Sequence, residues 1–146
     1  MQPTRATAWR FLKDNHIAVL ATQGRLGPSS SPVFYGVTDN KTLCFVTGDS
    51  TSKHKEIIAN MHIALSVVDS KNPIAVNLIG EARVVKDPAV EVQIFKLIGK
   101  INPEYAHPST KHNRGKFVAI EITPLYIQYT DYSSRRDGRG VYVFDL

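Results

Sequence analysis

Residues 29–57, SSSPVFYGVTDNKTLCFVTGDSTSKHKEI, decide the fold. The runs SSSPVFYGV and TLCFVTG are rich in β-branched and aromatic residues, and the TDNK between them is a cluster of turn formers. Two such runs about such a turn predict a β-hairpin. Pro32 cannot donate a ladder hydrogen bond, so it belongs at a sheet edge, a bulge or the start of its strand. After Gly48 the polar DSTS reads as a loop, and KHKEIIANM is helical in composition. The unit is therefore a hairpin that runs through a hydroxyl-rich loop into a helix.

Upstream, TRATAWRFLKDN predicts a short helix. Thr4 can cap it, Ala8, Trp9 and Leu12 fall at helical spacing, and Lys13 sits near the negative end of the dipole. HIAVLAT (residues 16–22) reads as a buried strand bounded by Gly24 and Gly27. Downstream, MHIALSVVD is a strand, and Asn72 and Pro73 turn the chain into the long strand AVNLIGEARVVK. Gly80 inside that strand marks a bulge or the close approach of another backbone. Asp87 and Pro88 open a helix, as a cap followed by proline at the first helical position. Its Val90, Ile94, Leu97, Ile98 and Ile101 form a one-sided apolar stripe. INPEYA restarts a short helical turn, HPSTKHNRG is a polar loop, and FVAIEITPLYIQYTDY is a last long strand region bent or terminated at Pro124. GRGVYVFDL adds one more strand. Strands outnumber helices and are joined mostly by short turns, which argues for a mainly β, antiparallel barrel with short flanking helices rather than a βαβ sheet. The 146 residues make a single domain, 1–146.

An apolar fraction of 42% and a charged fraction of 21% are ordinary for a globular chain. Cys44 is the only cysteine, which excludes an intrachain disulfide and a multi-cysteine metal site, and its place in LCFV makes it a buried small side chain. The N-terminus has no basic stretch followed by a long apolar one, and no run approaches the roughly 18 apolar residues of a spanning helix, so a reducing, cytoplasmic setting is expected.

The formal charge of +5 raises the question of nucleic acid, but the cations are scattered. Lys96, Lys100, Lys111, Arg114 and Lys116 lie on and after one helix, and Arg135, Arg136 and Arg139 near the C-terminus. No basic block carries the interleaved aromatics of a strand-binding groove, so nucleic acid is not the expected partner. Among His16, His54, His62, His107 and His112 none has a second ligand at helical i, i+4 spacing, and no metal is expected. Glu81, Glu121 and Asp69 fall in separate strands with nothing to couple them as acid and base. Residues 29–31 form no nucleophile elbow. Trp9 is expected to pack or to make a dimer contact rather than to stack on a flavin, and of Tyr126 and Tyr129 one should face the core and the other an interface.

Three segments in order carry a family resemblance. HIAVLATQGRLGPSSSPVFYGV resembles the first hairpin of the pyridoxamine 5′-phosphate oxidase-like FMN-binding split barrels. TLCFVTGDSTSKHKEI resembles their phosphate-binding strand, loop and helix, and AVNLIGEARVVKDP the strand that follows, with its Gly-x-Ala ending. They span about residues 16–88, and the opening helix and short C-terminus look most like a small bacterial subgroup of that family. The resemblance implies an antiparallel split β-barrel, a homodimer, and FMN held between the subunits. It implies that the second strand, here Ser31, Pro32, Val33, Phe34, Tyr35 and Gly36, lays its backbone against the flavin ring. It places the phosphate at Val46, Thr47, Ser52 and Lys53, with Thr51 and Ser50 adding hydroxyls.

A helix start in this loop suits an anion on physical grounds, because free N–H groups and the positive dipole end point at it. With Ser52 as the cap, position 55 is lysine rather than the glutamate of a capping box, so no carboxylate from there competes for those amides. The chain also departs from the family pattern. Where the oxidase has an arginine and a lysine on the second strand and an arginine before the phosphate-loop lysine, this chain has Ser31, Gly36 and Ser52. His54 or a partner-subunit residue is the candidate substitute, since Lys55 lies two positions from Lys53 and points elsewhere. The oxidase's residues for its pyridoxal phosphate substrate have no convincing matches, so pyridoxamine oxidation is not expected. The expectation is an FMN-binding flavoprotein acting as an oxidoreductase. Its rivals are a non-catalytic binding or sensor module for haem, a deazaflavin or another small anion, and, from another class, a basic nucleic-acid-binding barrel.

Overall fold

The computed structural model describes residues 2–105, 111–112, 115–134 and 140–146. In chain order these form α1 (Arg5–Asp14), β1 (Ile17–Gly24), β2 (Gly27–Val37), β3 (Leu43–Gly48), α2 (Ser52–Ala59), β4 (His62–Asp69), β5 (Ile74–Val84), α3 (Pro88–Ile101), β6 (Lys111–His112), β7 (Gly115–Asp131) and β8 (Val141–Asp145). Among the described residues no helix is long and apolar enough to cross a membrane.

Every strand pairing is antiparallel, in the order β3-β2-β1-β4-β5-β7, and β7 pairs back to β3 to close the ring. The barrel predicted from the strand count is what forms. β8 lies outside the ring against β7. The long final strand does not stop at Pro124: β7 continues to Asp131, and its register against β5 shifts between Ile79 and Gly80, opposite that proline. The bulge expected at Gly80 is there.

The barrel is incompletely zipped at β2. This strand pairs with β1 along most of its length, from Gly24↔Gly27 to Ile17↔Phe34. It pairs with β3 only through Tyr35, Gly36 and Val37, after which β3 runs along β7 as far as Gly48↔Phe117. Among the described residues, the stretch of β2 from Gly27 to Phe34 therefore presents an unpaired edge to a split in the wall. Pro32, with no N–H to waste, sits on that edge.

Alternation along the strands sends Leu20, Tyr35, Leu43, Phe45, Leu65, Leu78, Ile120 and Ile122 into the barrel, where α1 adds Ala8, Trp9, Phe11 and Leu12. Thr4 caps α1 in a reciprocal box with Thr7, and Trp9 is a core side chain as expected. On the outside, Ile94, Phe95 and Ile98 of α3 cover Cys44, Val46, Phe117 and Ala119. The predicted stripe thus has Ile94 and Ile98 at its buried centre, and Phe95 joins it. Both faces of β3 are consequently buried, which is why its sequence is a continuous apolar run rather than an alternating one. Each side chain of this size contributes about 1.5–3 kcal/mol on burial, so three of them suffice to hold α3 against the barrel. Tyr129 faces the core and Tyr126 is half-buried, its hydroxyl 3.0 Å from Oε1 of Gln128.

Candidate functional site

The split opens into a cleft of about 300 Å³. One wall is the unpaired edge of β2 at Pro32, Val33 and Phe34, and the other is Val46, Thr47 and Gly48 of β3. Thr51 and Lys53 close its polar end at the start of α2, and Tyr105 and Phe117 close its apolar end. These two rings stand 4.9 Å apart at 52°. Seven of the twelve residues named from the sequence therefore line one cleft.

The other five sit elsewhere, Gly36 where β2 pairs with β3 and Ser50 beside Ser52. Ser31 and Ser52 line an adjoining hydroxyl-rich hollow that shares Thr51 and Lys53 with the cleft. Tyr35 is fully buried, and its hydroxyl donates to the Leu12 carbonyl at 2.7 Å. Burial, with the Asp14 charge as a smaller contribution, raises its pKa well above the ordinary tyrosine value. Its side chain belongs to the core, and only its strand position relates it to the cleft. Sequence reasoning missed Tyr105 and Phe117, which no local motif marks as a pair. His107 and the side chain of His112 lie outside the described residues, as do Arg135, Arg136 and Arg139.

The loop into α2 is held by its own hydroxyls. The helix cap is Thr51 rather than Ser52: its Oγ1 accepts from the His54 N–H at 3.3 Å and donates to the Gly48 carbonyl at 2.9 Å. Thr47 Oγ1 lies 3.1 Å from Thr51 Oγ1. The shift of one position has a physical reason, since Thr51 reaches back to β3 while capping forward. Asp49 ties the loop to β7, with its N–H donating to the Lys116 carbonyl at 2.9 Å and its Oδ1 accepting from the Lys116 N–H at 3.0 Å. Ser52 becomes the first helical residue, whose N–H has no intrahelical acceptor. With Thr51 as the cap, the capping-box position is His54, so no carboxylate competes there either.

Chemically the cleft is two-sided. Val33, Phe34, Val46, Tyr105 and Phe117 give it apolar lining, and Thr47, Thr51 and Lys53 give it polar lining at the start of α2. That combination suits a planar ring carrying a phosphate. Neither His54 nor Lys55 lines it: Lys55 is exposed, and His54 Nδ1 is buried with no hydrogen-bond partner. Cys44 is sealed under α3, its thiol pushed up to about 12 mainly by burial, so it is no nucleophile.

Residues 5–131 match the family model described as pyridoxamine 5′-phosphate oxidase. The chain belongs to that family. Among curated proteins nothing matches it. Solved structures of similar fold include a conserved hypothetical protein from Mycobacterium tuberculosis, with a TM-score of 0.75, 17% identity, and coverage of 90% of this chain and 86% of that one. A heme binding protein from Mycobacterium smegmatis gives 0.73 and 14% identity over 99% of this chain and 59% of its own. A FAD-binding protein from Mesorhizobium loti gives 0.68 and 16% identity over 87% and 92%. Lys53, which the resemblance matches to the phosphate-loop lysine, lines the cleft, and serines stand at positions 31 and 52.

Proposed function

We propose that the chain is an FMN-binding flavoprotein that works as an oxidoreductase, its flavin held at the interface of a homodimer. The observation that carries this reading is the convergence of Pro32, Val33 and Phe34 with Thr47, Thr51 and Lys53 on one slot in the split of the barrel. Pro32, Val33 and Phe34 supply a flat backbone edge for the ring. Lys53 and the helix-start amides receive the phosphate, and Tyr105 and Phe117 keep water from the apolar end. Bound flavin supplies hydride or electron transfer, and the protein's part is to bind, orient and shield it. That agrees with a cleft that holds no acid–base pair among its lining residues. The family membership supports the reading, and so does a neighbour of like fold described as FAD-binding. The serines at positions 31 and 52, and a neighbour described as heme binding, favour the rival of a binding module for another anionic ligand.

A dimer is supported by the sheet's outer face. Ile17, Val19, Val68 and Ile79 stand exposed there, and register places Ile17 beside Phe34 and Val19 beside Pro32, so the apolar face is continuous with the cleft wall. A second copy seated on that face would close the slot. We expect the protein to sediment as a dimer and Val19→Glu to sediment as a monomer. A monomeric wild type would remove the dimer from the reading.

The flavin itself is tested by titration. Lys53→Ala should weaken FMN by about ten- to a hundredfold, the loss of one charge-assisted hydrogen bond, and leave riboflavin nearly unchanged. Equal weakening of both would show Lys53 to be structural. A protein that takes up neither flavin, and shows no band near about 450 nm when loaded, would favour the rival module.

A further inference from the structure

Two hollows of about 430 Å³ each lie against α3, and neither shares a lining residue with the flavin cleft. Val37 and Leu97 line both, so the two form one groove between α3 and the end of β2. A Cβ at Gly36 would stand 2.8 Å from Cδ2 and Cγ of Leu97, so the bare backbone there lets Leu97 lie on β2 at the middle of the groove. Val90 and Ile94 extend the apolar lining towards the start of α3.

The two ends carry opposite charge. Asp39 and Glu121 line one hollow, and no cation lines it with them. Lys13, His16 and Lys100 line the other, which has no carboxylate in its lining. Glu121 is oriented by Thr42, whose hydroxyl donates to its Oε2 at 2.7 Å. An ionised carboxylate has about four acceptor positions, so Glu121 keeps room for another donor. Arg83, its neighbour across the β5–β7 ladder, lines an adjoining hollow rather than this one. Lys13 and Lys100 stand in the last turns of α1 and α3, where a cation offsets the negative dipole end. That accounts for one lysine on each helix. The two helix ends also converge on a single hollow, which brings both amines to it.

An apolar middle with carboxylates at one end and amines at the other is the complement of a zwitterion. Val90, at the Glu121 end, and Lys100 are ten positions apart on α3, about 15 Å along the helix axis. An extended chain advances about 3.3–3.6 Å per residue, so about four residues cover that span. A single amino acid is too short to meet both ends. We propose that the groove binds a short extended peptide with free termini, its ammonium at Asp39 and Glu121 and its carboxylate at Lys13 and Lys100. The site stands apart from the flavin reading and does not depend on it.

Calorimetric titration of the full chain with a tetrapeptide of alanine and valine tests the assignment. The peptide with both ends free should bind. Acetylating its amine, or amidating its carboxylate, should weaken it by about ten- to a hundredfold, the loss of one charge-assisted contact. Glu121→Gln should weaken the free-ended peptide by about tenfold and leave the acetylated one unchanged, because the contact is already gone. Lys100→Gln should stand in the same relation to the amidated peptide. A folding defect would weaken every peptide alike, so this pairing of variant with blocked end marks direct contact. The proposal is overturned if the free-ended peptide gives no heat at millimolar concentration, or if free, acetylated and amidated forms bind equally. Butylammonium binding as tightly as the peptide would also overturn it, leaving an amine site at the acidic end alone.

Discussion

Tyr35→Ala should destabilise the protein by about 3–5 kcal/mol, the cost typical of removing a large buried aromatic side chain. Tyr35 is fully buried in the barrel between elements far apart in sequence, and its hydroxyl donates to the Leu12 carbonyl at the end of α1. Truncation would leave a cavity that the strands cannot close, and a carbonyl without its donor. Tyr35→Phe separates the two contributions. It keeps the ring and orphans only the carbonyl, and should cost about 1–3 kcal/mol. In a domain of this size the alanine variant should lower Tm by on the order of 10 °C and the phenylalanine variant by less than half of that. Urea unfolding with unchanged m-values would confirm that the loss lies in the native state. A Tyr35→Phe variant as stable as wild type would show that the Leu12 bond adds nothing to the docking of α1.

Gly80→Val should cost about 3 kcal/mol or more, because the obstruction is backbone. A Cβ at this position would stand 2.7 Å from the Thr123 carbonyl oxygen, 3.0 Å from Ile122 Cγ2 and 3.3 Å from Pro124 Cα. A flexible side chain could swing away, but a carbonyl and a proline Cα in the paired strand cannot. The β5–β7 ladder would have to open at its bulge, and this pairing carries β7 into register with β3 at the cleft. Gly80→Val should therefore lower Tm sharply and also weaken flavin binding in the surviving folded fraction. Gly80→Ala, which adds the obstructing atom alone, should fall between wild type and the valine variant. Wild-type stability in the valine variant would mean that β5 and β7 can part at the bulge without cost.

Much of the site is legible in the amino-acid sequence, and the reason is local. The loop at residues 47–53 is dense in hydroxyls, starts a helix and ends in a lysine, and these properties lie next to one another along the chain. Lys53 and Thr51 can be named from that density, although the cap is displaced by one residue because Thr51 also reaches the Gly48 carbonyl of β3. Tyr105 and Phe117 cannot be named in this way. They come from a short turn after α3 and from β7, and nothing in either segment states that their rings meet. Tyr35 shows the converse error of treating a strand as a unit. Its neighbours Pro32 and Phe34 line the cleft, while its own side chain packs into the core.

The seven longer strands, the hairpin, the three helices with caps at Thr4 and Asp87, the buried Cys44 and the bulge at Gly80 follow from the amino-acid order alone, whereas the two-residue β6 falls in a stretch that reads as a polar loop. Each depends on propensity, periodicity or turn chemistry acting over a few residues. Tertiary structure alone decided that β7 would pair back to β3, that β2 would meet β3 only at Tyr35, Gly36 and Val37, and that the hydroxyls of residues 29–31 would face those of residues 50–52 across a hollow. These are meetings of distant segments, set by which apolar faces must be covered at once, and no short stretch of sequence holds that information.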